Sequence, residues 1–440
     1  MSFDSRTFER DALGAGKRNK YQSHGTQLET LRQDAKRLLS STSDPCVLLN
    51  HVDSMQRLGI AYHFQEEIND TLKNCIHPYS PDDQDLHTTA LRFRVLRDHN
   101  FPVSSGCQDK HTKSFTLIEL AKLDFNIVQA TYQEELKELS RWWENLGFKR
   151  NRSFTRDRLI QSYFVAIGIT FEPQSSKSRI AATKFINIVN TIDDIHDYYG
   201  SLDDLKLFDA AVKRWDLTAM EFLPDYMKIC YFAMYNMINE LSYDALIDRG
   251  IDVLPCLREA CTKFYRSVFV EAQWYYNVHT PSLDNYLKNS SISIAILGSL
   301  NFAHAQQKES RSSITNNSLP LLGRSLLYWS SVICRLNNDL ATFQRESETG
   351  EMESSVKCYM VEKGVSQKEA CDGIRGLIRH AWKMLNTERT RSDLPPSMVK
   401  MCFEMPKLCQ CLYQHGDGFG TSIELTKDVL TSLIFRQIPI

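Results

Sequence analysis

The chain has 440 residues, and its 18 Gly and 13 Pro fall below average usage, so turns are scarce and long helices are favoured. At ~100–200 residues per domain, this length predicts two domains. The 52 Lys and Arg against 54 Asp and Glu leave a formal charge of −2, without the basic excess of a nucleic-acid binder, and 42% hydrophobic residues exclude a disordered chain.

Helical spacing sets in at Leu28, Leu31, Ala35 and Leu38–Leu39, after about 25 polar residues that read as frayed. Val47 to Leu72 predicts two more helices, broken near Gly59. Pro78–Asp85 reads as a polar link, followed by a helix through Leu91, Phe93, Val95 and Leu96. The irregular stretch Pro102–Phe115 is the best boundary and divides the chain into domains 1–114 and 115–440. Leu117 to Leu146 is one amphipathic run that stops at Gly147. Arg158–Gly168, Ile180–Tyr199, Leu202–Asp216, Tyr226–Asp248 and Leu254–Tyr276 follow as helices. No segment sustains the two-residue alternation of a strand, so the fold class is all-α, with a small N-terminal helical part and a large C-terminal bundle.

The N-terminus mixes Phe3, Asp4, Glu9, Asp11, Lys17 and Arg18, which argues against a secretory signal and, through its acids, against a transit peptide. Ile292–Phe302, the longest apolar-leaning run, is too short and too interrupted for a membrane span. The 12 cysteines are scattered without a CxxC pair, as reduced core thiols would be. A cytoplasmic location is therefore expected, a plastid one less so, for a monomer without nucleic-acid partners.

Three constellations carry chemistry. Asp193-Asp-Ile-His-Asp197 ends the apolar run that begins at Phe185. At ~100° per residue, Asp193 and Asp197 lie about 40° apart on one helix face, while Asp194 points aside. Two carboxylates one turn apart repel, and hard cations such as Mg²⁺ accept such oxygen pairs. An acidic helix end facing solvent is the alternative. Asn338, Thr342 and Glu346 form the second set, spaced i, i+4, i+8, with Arg335 one turn earlier on the same stripe. An amide, a hydroxyl and a carboxylate can chelate one divalent ion while Arg335 grips an anion beside it. Alone, this stripe also fits a solvated helix face. The third is the basic segment Lys149–Arg158, which contains Arg156 and Arg158 before a helix start suited to phosphate, or else is a charged surface loop.

Asp193–Asp197, the Asn338/Thr342/Glu346 triplet and Arg156-Asp-Arg158 together resemble the plant class I terpene synthases. Leu58–Glu67, Leu120–Phe125, Phe171-Glu-Pro173, Glu271-Ala-Gln-Trp274 and Gly416-Asp-Gly-Phe419 resemble that family as well, and the similarity runs from about residue 25 to the end. Tyr413–Gly420 most resembles the subfamily that makes acyclic alcohols such as linalool and nerolidol. Domain 115–440 would then be a class I terpenoid synthase metal-binding bundle, preceded by an incomplete N-terminal helical domain. That domain departs from the family by passing from Phe101–Ser105 almost directly to Phe115–Leu120, as a skipped exon would leave it. Val165 also stands where the family usually has an active-site Trp, and Phe419 replaces a frequent Tyr in a loop one residue shorter.

The resemblance implies three Mg²⁺ ions, with Mn²⁺ as a substitute: two at Asp193 and Asp197, one at Asn338, Thr342 and Glu346. Arg156, Arg158 and Arg335 would hold the diphosphate of geranyl or farnesyl diphosphate, and Trp274 and Tyr413 are the best candidates to face the cation, although such a ring is more often plain core. Water capture to an acyclic tertiary alcohol is the expected outcome, with ring closure as the alternative. A chain-elongating prenyltransferase would want a second aspartate-rich motif in place of Asn338/Thr342/Glu346. A catalytically dead paralogue is the remaining reading.

Overall fold

The computed structural model describes residues 25–74, 91, 94–96, 98–99, 115–148, 157–198, 200–307, 324–349, 353–420 and 424–440; the side chains of 196–198, 344–349 and 424–426 are not among those described. Pro78–Asp85, the interior of Pro102–Phe115 and Arg156 therefore lie outside the described residues. The described residues divide into two units, one within 134–430, the other within 25–133 together with 431–440.

In the second of these, α1 (Gly25–Ser40), α2 (Pro45–Arg57) and α3 (Gln65–Asn74) follow the expected periodicity. The short 3-10 turn Ala61–Phe64 separates α2 from α3, beyond Gly59. Ala35, Leu49, Val52, Met55, Ile68, Leu72, Val95 and Leu120 make one apolar core. Beside it, Asp124 accepts from the Tyr62 hydroxyl at 2.8 Å and pairs with His63 Nε2 at 2.8 Å, so this buried carboxylate is satisfied. Asn126 and Gln129 hold the last residues through the backbone of Ser432, Leu433, Arg436 and Ile438.

Helix α4 (Phe115–Asn145) stops before Gly147, whose φ of 74° suits the left-handed stop read from the sequence. Then come α5 (Leu159–Ile169), α6 (Ser176–Tyr198), α7 (Leu202–Arg214), α8 (Asp225–Arg249), α9 (Leu254–Tyr276), α10 (Leu283–Ser293) and α11 (Ile296–Ala305). The set closes with α12 (Ser325–Thr349), α13 (Ser355–Lys363), α14 (Gln367–Arg389), α15 (Pro396–Tyr413) and α16 (Glu424–Ile434). Ser201, Ser282 and Ser366 cap α7, α10 and α14, the last with Glu369 in a reciprocal capping box, each cap contributing about 1 kcal/mol. Helix α7 ends two residues short of expectation because Trp215 turns left-handed at φ 55° and Asp216 caps the next turn.

Within this bundle α6 packs on α5, α5 on α15, α15 on α12, α12 on α10, α10 on α9, and α9 back on α6. All six also touch α11. A helix surrounded on every side must be apolar all round, and α11 is buried along nearly its whole length. Gly298 lets it approach α6: a Cβ there would stand 2.2 Å from Phe185, whose ring stacks on Phe302 at 4.4 Å. The apolar run Ile292–Phe302 is thus two helices, parted at Ala295, where φ is 63°.

A buried ion pair anchors the base of α6. Arg179, fully buried, forks onto both Glu135 oxygens at 2.6 and 2.9 Å and donates to the Thr170 and Glu172 carbonyls, while Tyr163 donates to Glu135 at 2.8 Å. Removing one partner strands a buried charge, so Glu135→Ala should cost about 3–5 kcal/mol. Urea denaturation followed by circular dichroism measures it, and an unchanged midpoint would contradict this role.

Candidate active site

Helix α5 carries Ser162 and Val165 about 60° apart, counting ~100° per residue, and Arg158 is its N-terminal cap residue. That helix meets α6. Arg158 stands 3.7 Å from Asp194, which is 1% exposed. Ser162 donates to Asn187 and accepts from Asn190, both at 3.3 Å. Asp194 thus points aside from Asp193, as helical spacing requires, and its direction is toward the arginine. The Arg158 Nε is buried without a hydrogen-bond partner, so a cationic group with donor capacity remaining sits at the start of α5.

Across the bundle, α12 carries Arg335, Asn338, Thr342 and the backbone of Glu346. Arg335 donates to Asn338 Oδ1 at 3.3 Å and to Ser293 Oγ at 3.1 Å, and it lies 3.5 Å from Asp339. Asp339 is fixed in turn by the Tyr286 hydroxyl at 3.0 Å and the Ser355 amide at 2.9 Å. Burial and the Asp339 charge push the Tyr286 hydroxyl well above its ordinary range, so it stays a proton donor. The Thr342 hydroxyl donates to the Asn338 carbonyl at 3.1 Å, which leaves its lone pairs as acceptors.

Glu271 of α9 links the two sets. Burial raises its carboxyl above the usual range against the pull of Arg335, and the charges of Asp193 and Asp339 raise it further. One acid therefore feels groups from both α6 and α12. Trp274, one turn on, lies 6.4 Å from the Tyr286 ring. Tyr413 ends α15, and its hydroxyl is raised by burial and by Cys409, Asp417 and Cys334 against the opposing charge of Arg335. Phe419 stands 6.0 Å from the Arg158 guanidinium. Ten described cysteines are free, most of them buried, with no disulfide among the described residues.

Carboxylate, amide and hydroxyl oxygens are hard donors suited to Mg²⁺, and Asp193, Asn338 and Thr342 fit that chemistry. No cluster of three His, Cys, Asp or Glu side chains occurs among the described residues, which exclude the side chains of Asp197 and Glu346. No helix among the described residues is long and apolar enough to cross a membrane. Sequence reasoning gave no role to Glu271, Ser293 or Asp339. Glu271 stood in a motif-like segment, but its partners are remote in the chain.

Residues 144–384 match the model of the terpene synthase family, metal binding domain, and residues 7–122 that of the terpene synthase N-terminal domain. A probable terpene synthase 9 of Ricinus communis is 40% identical over 94% of this chain and 86% of that protein. The trans-ocimene synthase of Litsea cubeba, named as chloroplastic, is 38% identical over the same shares. Isoprene synthase from grey poplar leaves, solved with three Mg²⁺ ions and dimethylallyl-S-thiolodiphosphate, superposes with a TM-score of 0.85 at 31% identity, covering 96% of this chain and 98% of that one. The expected cytoplasmic location is overturned by these relatives, several of which are named as chloroplastic; acids near the N-terminus do not outweigh them. The alignment to the Ricinus protein runs over 506 positions, more than this chain has residues, so it includes a sizeable stretch that is absent here. With both of its domain models matched and an all-helical bundle in common with solved members, this chain belongs to the terpene synthase family, lyases acting on prenyl diphosphates, and carries that family's metal-binding domain.

Proposed function

We propose that this protein ionises geranyl diphosphate, or farnesyl diphosphate, and that the allylic cation captures one water and loses a proton, releasing an acyclic tertiary alcohol, linalool or nerolidol, together with diphosphate. Relatives are mostly monoterpene synthases, with acyclic and cyclic products among them, which favours the geranyl substrate and a plastid setting. Asp193 and Asp197 would hold two Mg²⁺ ions and Asn338, Thr342 and Glu346 a third, and these would supply Lewis-acid stabilisation of the diphosphate leaving group. Arg335, Arg158 and Arg156 bind its oxygens, each charge-assisted hydrogen bond contributing about 1.5–3 kcal/mol. Trp274 and Tyr413 offer cation–π attraction of ~0.5–2 kcal/mol per face. The protein acts as a monomer, with an N-terminal domain of residues 1–114 that is internally shortened and a catalytic domain of 115–440.

Val165 carries the acyclic reading. It is buried one turn beyond Ser162 on α5, the helix that Arg158 begins, and brings an aliphatic side chain where a π-face would hold a cation for ring closure. Incubation with each diphosphate and chromatographic product analysis tests this. Val165→Trp is expected to move part of the product toward cyclic hydrocarbons. A product already dominated by rings in the unmodified protein would instead favour the cyclising reading, which its terpineol synthase relative supports.

A further inference from the structure

Ser293 is the last residue of α10, immediately before the break at Ala295, and lies between an acid and an arginine. Its hydroxyl donates to Glu271 Oε1 at 2.5 Å and accepts from Arg335 at 3.1 Å. Asn289, one turn earlier, donates to the same Glu271 oxygen at 3.2 Å and to the Ser267 carbonyl at 2.9 Å. A serine hydroxyl has one proton and two lone pairs and rotates to suit its surroundings. With its proton committed to the Glu271 carboxylate, Ser293 presents only lone pairs to Arg335.

An arginine side chain loses about 2 kcal/mol of rotamer entropy when fixed. Two contacts of Arg335 on its own helix are longer: 3.3 Å to Asn338 and 3.5 Å to Asp339, whose oxygens already serve Tyr286 and Ser355. We propose that Ser293, oriented by Glu271, is a positioning residue that fixes the Arg335 guanidinium in register with the diphosphate. It acts from a helix that carries none of the proposed metal ligands. The inference rests on the reading that Arg335 binds diphosphate.

An interaction that aims a charge at the leaving group lowers kcat more than it raises KM. Ser293→Ala is expected to reduce kcat about 10-fold, equivalent to ~1.4 kcal/mol, with KM changed less than threefold. Ser293→Thr, which keeps the hydroxyl, should restore most of the loss, and Glu271→Leu, which removes the acceptor that orients it, should reproduce it. The deciding measurement is a double-mutant cycle: in an Arg335→Lys background Ser293→Ala should cost little more. A full additional 10-fold loss in that background, or a silent Ser293→Ala, overturns the proposal and leaves Ser293 as a tether between α9 and α10. Calorimetric titration of the unmodified protein with inorganic diphosphate and Mg²⁺ tests the underlying reading separately. Absence of binding there defeats the diphosphate site itself, whereas binding together with a silent Ser293→Ala defeats only the positioning role.

Discussion

Asp193→Ala and Asp197→Ala are each expected to lower diphosphate release by about 10³-fold or more, the several kcal/mol that metal-ion stabilisation supplies. Helical content should stay nearly unchanged, since removing one of two carboxylates a turn apart relieves repulsion on α6. Asp194→Ala should behave differently. Its carboxylate lies away from the chelating face and pairs with buried Arg158, so its loss strands that guanidinium and should reduce both stability and turnover. Diphosphate release followed colorimetrically, beside thermal melts by circular dichroism, separates these outcomes. Turnover that survives removal of all divalent cations would end the metal-assisted reading.

Arg335→Lys should lower kcat by about 10²-fold, the cost of losing one aimed donor to developing negative charge. Lysine keeps the positive charge but replaces a planar fork by a single ammonium, which cannot meet Ser293, Asn338 and an anion together. Stability should change little, because Asp339 keeps its bonds to Tyr286 and Ser355. Single-turnover kinetics with geranyl diphosphate measures the chemical step directly, and a kinetically silent Arg335→Lys would make its place on the α12 stripe accidental.

Helix spans between Leu117 and Tyr276 were legible because apolar spacing and stop residues are local properties of the chain, whereas the helices beyond Tyr276 were not read from it. Leu254–Tyr276 matches α9 end for end, and Gly147 marks the stop after α4. The direction of Asp194 also followed from spacing, but its partner did not, since periodicity says which face a residue takes and not what lies opposite. Ser293 was hidden for a related reason: a lone hydroxyl in an apolar run reads as an interruption, and its bonds reach 22 residues back and 42 forward. The break at Ala295 was unreadable because alanine is a strong helix former whose left-handed conformation is imposed by tertiary packing.

Helix α11 has a consequence for how such a protein diversifies. Both motif-bearing helices rest on it, yet it supplies none of the proposed metal ligands. A change on α11 therefore acts on both of those helices from behind without exchanging any proposed ligand. Gly298 is already at the tight limit against Phe185, so added bulk must displace that ring, while trimming Phe302 loosens it. Small steps in this one short helix would then shift α6 and α12 together, while the side chains proposed to hold metal and diphosphate remain those of its neighbours.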